Sequence, residues 1–195
     1  CPLSAAGSQI SVGNQARLRG MELSIESQLT PQFNAGAYID VKRGTWDRFD
    51  SGGQSIFGSN GVRALTGTAV AFHGNVMARI PKITVAANAT YRMNLSSGWG
   101  SYVRGDLSYV GKQWETDFNF TQANAYSRVD LRVGFEKGET MIEVFVRNLA
   151  DDQNWTSITR SPNLGVTPLN NFSNMGLIAM SQDARAVGLR LRYGF

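Results

Sequence analysis

Apolar and polar residues alternate with a period of two along most of this 195-residue chain. Near the start, for example, Leu23 and Ile25 alternate with Glu22 and Ser24. This period places successive side chains on opposite faces of a β-strand. The alternating runs cover residues 17–29, 33–46, 82–94, 99–112, 129–136, 142–147 and 184–195. The pattern therefore predicts about seven antiparallel strands joined in sequence, with no helix longer than about two turns.

The last run continues to the final residue of the chain, which is aromatic. Its apolar positions are Val187, Leu189, Leu191, Tyr193 and Phe195. Its other face is glycine and arginine, including Arg190 and Arg192. Such a run is typical of the closing strand of an outer-membrane β-barrel, where one face meets lipid and the other the lumen. An edge strand of a soluble β-sandwich has the same alternation, so this run alone leaves both structures open.

Strand length and loop length favour the membrane structure. Most runs have about ten residues or more, which suits a tilted membrane-crossing strand, whereas ordinary strands have about five or six. Short turns near residues 30–32, 95–98 and 137–138 alternate with longer connections at 47–81, 113–124 and 152–183. We expect these connections to be loops, with one short strand at 69–72. Transmembrane barrels place short turns at one end and long loops at the other. The sequence thus predicts an all-β, antiparallel transmembrane β-barrel segment.

Composition agrees with this class. Charged residues are 17% of the chain, against roughly 25% in an average soluble domain. The net charge is +4, but the arginines are spread along the strands, so we predict no nucleic-acid partner. No run approaches 18 apolar residues, which excludes a transmembrane helix. The single cysteine, Cys1, forms no disulfide within the chain; pairing with an upstream cysteine and lipidation as a first residue stay open.

The alternation divides the strand residues between two faces. The apolar positions are expected to share a convex face in contact with membrane lipid, because Arg or Lys there costs about 2–4 kcal/mol at the midplane. They are Leu23, Ile25, Ile39, Val85, Ala87, Leu107, Leu131, Val133, Val144, Leu189 and Leu191. The charged positions are expected to face the lumen or a plug. They include Arg92, Arg104, Asp106, Asp130, Arg132, Glu143, Arg147, Arg190 and Arg192.

The long connections carry aromatic residues that could form a ligand-binding rim or pack the loops together. They include Trp46, Phe49, Phe57, His73, Trp155 and Phe172. His73 is the only histidine, and no Ser-His-Asp set, Cys-His pair or metal-ligand spacing is present. We therefore predict no enzyme activity, no metal site and no cofactor.

Four short stretches resemble the TonB-dependent outer-membrane receptors. They are Gly20-Met21-Glu22-Leu23, then Gly74-Asn75 with Ile80-Pro81-Lys82, then Arg147-Asn148-Leu149-Ala150-Asp151, and finally Ala184-Arg185-Ala186-Val187-Gly188 leading to Phe195. In the third stretch Ala150 replaces the usual aromatic residue. Each motif is short, but their order and spacing cover nearly all of the chain from Gln15 onward.

The resemblance implies a fold and a set of partners. Receptors of this family are 22-stranded barrels closed by an N-terminal plug, so residues 1–195 would be the C-terminal third, without the plug and its TonB-binding segment. It implies active uptake of a scarce nutrient, such as a siderophore, cobalamin or an oligosaccharide, through the outer membrane of a Gram-negative bacterium. The terminal strand ending in Phe195 resembles the signal read by the barrel-assembly machinery. A soluble all-β binding module and a small stand-alone barrel are the alternatives, and the substrate is undetermined.

Overall fold

The structure, a computed structural model, describes residues 14–50, 56–57, 63–65, 71–162 and 175–194. Its strands are β1 (Gln15–Gln28), β2 (Phe33–Asp50), β3 (Ile56–Phe57), β4 (Arg63–Leu65), β5 (Ala71–Phe72), β6 (Ile83–Asn94), β7 (Gly100–Val110), β8 (Gln113–Trp114), β9 (Gln122–Ala123), β10 (Tyr126–Lys137), β11 (Thr140–Arg147), β12 (Trp155–Pro162), β13 (Met175–Ser181) and β14 (Ala186–Arg192).

Seven of these strands form one antiparallel sheet in the order β1-β2-β6-β7-β10-β11-β14. Each long strand pairs with the next long strand along the chain. The prediction of about seven long strands joined in sequence is therefore confirmed. Within the described ranges the one helix is a 3₁₀ turn at Ser96–Gly98, and no helix is long and apolar enough to cross a bilayer.

Tight turns join the strands at one end of the sheet, which we call the turn end. Between β1 and β2, the Oγ1 atom of Thr30 accepts hydrogen bonds from the backbone N–H groups of Gln32 and Phe33, at 3.3 and 3.0 Å. Gly98 and Gly138 have φ angles of +76° and +57° in the next two turns. Glycine adopts this left-handed conformation without a steric penalty, so these residues permit short reversals.

The longer connections meet at the opposite end, the loop end, and here the sequence-based assignment was partly wrong. The predicted loop at residues 152–183 contains the β12–β13 hairpin, with Arg160 opposite Leu177. This hairpin prolongs the β11–β14 pair beyond a break at residues 148–154. β12 escaped notice because its apolar residues Trp155 and Ile158 are three positions apart, with Thr156 and Ser157 between them, so its strand character lies in β-branched content rather than in apolar alternation.

Two other connections also contain short strands, of which the pattern predicted only the one at 69–72. β2 continues past Trp46 to Asp50 and pairs with β5, which occupies the last two residues of the predicted 69–72 strand; residues 69–70 lie outside the described ranges. The predicted loop at 113–124 contains the two-residue pairs of β8 with β9. These elements are too short to show a period of two in the sequence.

The register of the sheet separates an outer face from a polar face. All eleven residues predicted to share the apolar side lie on the outer face, in rows such as Leu23–Ile39–Val85. None of them is buried within this chain, and Leu23 and Leu189 are 58% and 61% exposed. The prediction of a shared, exposed apolar face is confirmed. Contiguous apolar surface of this kind is typical of a face that another medium or partner covers.

Candidate functional site: the polar face and the loop end

The polar face carries the nine charged residues selected from the sequence. The register aligns them in rows that cross the strands, for example Asp106 opposite Asp130 and Arg104 opposite Arg132. Arg147 lies opposite Ala186, and Glu143 opposite Arg190. Their shared face is thus observed, whereas their contact with a lumen or a plug stays a prediction.

One group of charges lies in the middle of the polar face. Arg104 forms a bidentate contact with Asp106, with Nη2 to Oδ1 at 2.7 Å and Nε to both oxygens at 3.1 Å. Arg132 approaches the other side of Asp106, at 3.7 Å. Arg128 binds Asp130 with Nε to Oδ1 at 2.8 Å. These arginine side chains are more than a third exposed, so the pairs contribute little to stability and mainly hold the side chains in place.

A second row of side chains crosses five strands nearer the turn end. Glu143 is buried and accepts hydrogen bonds from the Tyr102 hydroxyl at 2.5 Å and from Arg190 Nη1 at 2.9 Å. The Tyr102 ring lies across Gly134, where an added Cβ would be 2.3 Å from a ring carbon. Glycine on β10 is therefore what lets a tyrosine on β7 reach a glutamate on β11. Arg92 on β6 completes the row, 5.6 Å from the centre of the Tyr102 ring.

An aromatic ring also lies across a glycine of the adjacent strand on β11 and β14. The ring of Phe145 on β11 lies across Gly188 on β14, 2.3 Å from the position of an added Cβ. The guanidinium groups of Arg147 and Arg190 lie 5.1 and 5.9 Å from its centre. Aromatic side chains that cover glycines of adjacent strands restore the packing that glycine lacks and fix the register. The row thus ties β6 to β14 across the polar face.

Asn148 holds the break between β11 and β12. Its side chain is fully buried and its φ is +48°. Its Nδ2 donates to the carbonyl oxygens of Asp152 and Asp183 at 3.0 and 2.8 Å, and its Oδ1 accepts from the Asp152 N–H at 3.1 Å. Its backbone N–H donates to Asp130 at 2.9 Å. The Asn148 side chain therefore joins the connection between β11 and β12 to the connection between β13 and β14. This gives the Arg147–Asp151 motif a structural role.

Two carboxylates beside Asn148 are held in the ionised state. The backbone N–H of Arg185 donates to Asp151 at 2.8 Å, and with the Gln153 side chain it lowers the pKa of Asp151. Burial alone would raise the pKa of Asp152, but hydrogen bonds from Ser127 and the Asn154 backbone outweigh it and lower this pKa. At neutral pH the Asp151 carboxylate therefore joins the connections before β12 and before β14, and the Asp152 carboxylate joins the first of these connections to β10.

An aromatic cluster, formed by Trp46, Phe49, Phe72, Phe118 and Phe120, packs the loop end together. Ring centres are 5.0 Å apart for Trp46 and Phe49, 5.2 Å for Phe72 and Phe118, and 5.9 Å for Phe49 and Phe118. Phe49 is only 8% exposed. The cluster joins β2, β5 and the connection between β8 and β9, so rings of these three segments form one small core.

Hydrogen bonds fasten the β8–β9 connection in the same position. Asp117 Oδ1 accepts from Trp46 Nε1 at 2.7 Å and from the Ala78 N–H at 2.8 Å. Asn119 binds both backbone groups of Val76, each at 2.7 Å. The bonds to Ala78 and Val76 join segments about 40 residues apart in sequence, and the bond to Trp46 spans 71 residues. The connection is therefore docked on the segment that leads into β6.

The β12–β13 hairpin docks on the same region through a buried ion pair. Arg160 Nε lies 2.9 Å from Glu115 Oε2, with side chains 9% and 2% exposed. Gln113 Nε2 donates to the Thr156 carbonyl at 3.0 Å. Beside these contacts is a cavity of about 160 Å³ lined by Arg79, Trp114 and Ile158, among others. Removal of one ionic partner would leave a buried charge uncompensated, so the pair fixes where the hairpin lies.

The six loop residues chosen from the sequence as candidate ligand contacts differ in burial and in their contacts. Trp46 and Phe49 belong to the aromatic cluster, whereas Trp155 is 51% exposed and His73 is exposed with Nδ1 2.8 Å from the Asp47 carbonyl. The side chain of Phe57 and all of Phe172 lie outside the described residues. Ligand contact by any of the six stays a prediction.

Several loop residues with clear structural roles were missed by the sequence analysis. They are Asp117, Phe118, Asn119 and Phe120 in the packed loop end, together with Glu115 and Arg160. The alternation of Asp117 and Asn119 with two phenylalanines was the available signal. It was too short to separate from an ordinary polar loop.

Most of the proposed assembly signal lies on the outer face. Val187, Leu189 and Leu191 pair with Val146, Val144 and Ile142. Tyr193 is 69% exposed, and Phe195 lies outside the described residues. Recognition by the assembly machinery stays a prediction. Among the residues with described positions, no three His, Cys, Asp or Glu side chains lie close enough to share a metal ion.

The meandering sheet, its exposed apolar face and its charged opposite face define a segment of transmembrane β-barrel wall. Across the described residues the sheet ends at β1 and β14, which do not pair with each other, so it does not close into a barrel. The chain belongs to the TonB-dependent receptor-like β-barrel family, whose model matches residues 2–149. Members of this family are transport receptors of the Gram-negative outer membrane. A comparison with curated proteins finds no match.

Solved structures show the same fold. The ferric yersiniabactin uptake receptor FyuA from Yersinia pestis matches with a TM-score of 0.66 and 19% identity, over 93% of this chain and 24% of that chain. The siderophore receptor PiuA from Acinetobacter baumannii matches with a TM-score of 0.67 and 16% identity, over 92% of this chain and 22% of that chain. The chain thus spans about a quarter of the length of either receptor.

Proposed function

We propose that this chain forms the C-terminal part of the barrel of an outer-membrane receptor that imports a scarce nutrient by TonB-dependent transport. This proposal rests on one observation: a chain of this family forms a single sheet with an exposed apolar face and an opposite face of charged side chains that contact one another. Ferric siderophores are the first substrates to test, because the two solved receptors above are named for them. Cobalamin and oligosaccharides follow. The TonB complex would supply energy through the N-terminal plug of the same receptor.

The polar face supports a role for the plug. Six of the nine selected residues are arginines and three are acids, namely Asp106, Asp130 and Glu143. All three acids are bound by arginines of the same face. Glu22, Glu26 and Asp40 also lie on this face, so its acids and arginines are nearly balanced, and a plug in the lumen would contact it through side chains of both signs.

The packed loop end supports a preformed entrance for the ligand. Its connections are joined by the aromatic cluster, by Asp117 and Asn119, and by the Glu115–Arg160 ion pair. A rim that is already ordered loses less conformational entropy when it binds a ligand. We assign ligand contact first to Trp155, whose side chain is exposed at this end.

The test is uptake by the full-length receptor in a host that lacks its own siderophore receptors. We expect saturable uptake of one substrate class from a panel of radioiron siderophores, labelled cobalamin and oligosaccharides. Uptake should be lost in an isogenic host without TonB. Trp155→Ala should raise the half-saturating concentration several-fold, because a large aromatic contact is removed. Trp99→Ala, which removes the same side chain at the turn end, should leave that concentration unchanged.

Two results would reject the proposal. One is uptake that persists without TonB, because a passive pore needs no energy coupling. The other is extraction of the full-length protein from cells without detergent, which would identify a soluble binding module instead.

A further inference from the structure

Three arginines interrupt the outer face at the loop end. We call Arg17, Arg19 and Arg43 the arginine patch. Arg19 lies directly opposite Arg43, and this pair is the next one on the outer face after Met21 and Val41. All three arginines are exposed. The patch thus lies on the apolar side of the sheet rather than on the charged polar face.

The patch begins where the apolar surface ends. The apolar outer-face positions of β2 run from Phe33 to Val41, nine residues counting both ends. Membrane-crossing strands need about 9–11 residues. Between the patch and the turn end, the outer-face positions of the seven strands are uncharged except for Lys137, which ends β10 at the turn end itself. Arg43 and Arg19 are therefore placed where the hydrocarbon layer gives way to headgroups.

Two of the three arginines have no counterion among the described residues. Like charges directly opposite each other in a sheet are destabilising. Asp47 forms a pair with Arg17, at 3.3 Å. Arg19 and Arg43 form no ion pair with any residue in the described part of the chain. An anion bound between them would turn this repulsion into attraction.

We propose that Arg19 and Arg43, flanked by Arg17, bind the phosphate of a lipid headgroup in the leaflet on the loop side of the membrane. A guanidinium group suits this ligand because its planar set of donors matches a phosphate bidentately. The lipid chains would lie along the apolar residues below, beginning with Met21 and Val41. The proposal rests on the outer-membrane placement proposed above, and not on transport.

The test measures lipid binding to the purified full-length receptor. Bisphosphorylated lipid A is titrated into detergent micelles that contain the receptor, and the bound lipid is counted by native mass spectrometry. Each cation near an anionic lipid surface contributes about 1 kcal/mol, so the double variant Arg19→Gln/Arg43→Gln should bind about 30-fold more weakly. Lipid A without phosphates should bind weakly to the parent, and excess inorganic phosphate should leave lipid A bound.

Two variants control for charge and folding. Lys82→Gln removes an exposed cation near the same end of the sheet. Lys82 precedes the outer-face residue Ile83, and its carbonyl accepts a hydrogen bond from the Lys42 N–H. This variant should bind lipid A as the parent does. Arg19→Lys/Arg43→Lys keeps both charges and should retain binding within about fivefold. If the double glutamine variant fails to fold, the single variants decide, each with an expected loss of about fivefold.

Three results would overturn the inference. They are unchanged binding by the glutamine variants, equal binding of dephosphorylated lipid A, and displacement of lipid A by inorganic phosphate, which would identify a free-anion site. Because the readout is lipid, it is separate from uptake. A receptor that binds lipid A through these arginines but imports nothing would refute the proposed transport function alone.

Discussion

Asn148→Ala is expected to reduce the amount of folded receptor in the outer membrane by about tenfold or more. The change removes three side-chain hydrogen bonds to Asp152 and Asp183 at a position where the Asn148 side chain is buried. A typical intramolecular hydrogen bond contributes about 0.5–1.5 kcal/mol. Alanine also tolerates the φ of +48° less well than asparagine does. A tenfold change corresponds to about 1.4 kcal/mol, which these losses exceed.

The measurement is the fraction of receptor that keeps the mobility of a folded barrel on unheated gels of outer-membrane fractions. Asn124→Ala is the matched control, because Asn124 is an exposed asparagine between β9 and β10. Asn148→Gly separates the two causes, since glycine accepts a positive φ but restores none of the hydrogen bonds. Equal folded fractions for Asn148→Ala and the parent would contradict the role assigned to this side chain.

Leu131→Arg is expected to destabilise the barrel by about 2–4 kcal/mol in a lipid bilayer. Leu131 lies on the outer face near the middle of β10, between Gly105 and Val146. A guanidinium there would have to leave water for the hydrocarbon core of the membrane. The measurement is the midpoint of denaturant unfolding of the full-length receptor in liposomes.

An arginine introduced at a similar depth on the polar face is the control for Leu131→Arg. Asn88 lies on the polar face, directly opposite Asp106. Asn88→Arg should change stability by less than about 1 kcal/mol, because the added charge stays hydrated and faces a carboxylate. Leu131→Met, which conserves volume, should also be mild. Similar losses for Leu131→Arg and Asn88→Arg would show that lipid does not cover the outer face.

The sheet could be predicted because its two environments are imposed along whole strands. Each strand has one face toward each environment, so the polarity of every second residue is constrained and the register follows. Leu107 and Leu131 were placed on the outer face from this alternation alone, and Arg104 and Asp106 on the other. The pattern fails where the chain extends beyond the apolar band. In β12, Thr159 and Ser161 carry no signal of their face.

The contacts of the loop end could not be read from the sequence because they join distant segments. Asp117 binds Trp46 across 71 residues, and Asn148 binds Asp183 across 35. Trp46 and Phe49 were recognisable as aromatic residues in a loop, but burial against Phe118 depends on where three connections meet. The pairing of Tyr102 with Gly134 is similar, since only the register brings that glycine beneath that ring.

The central claim is that the outer face of this sheet contacts membrane lipid while the polar face contacts water or protein. The most direct measurement is spin labelling along β10 of the full-length receptor in liposomes, at Arg128, Val129, Leu131, Arg132 and Val133 in turn. We predict high accessibility to oxygen and low accessibility to a water-soluble nickel complex at Val129, Leu131 and Val133, because oxygen concentrates in lipid. Arg128 and Arg132 should not show that signature. Loss of the alternation, with both reagents excluded at Val129, Leu131 and Val133, would identify a buried protein core and contradict the account.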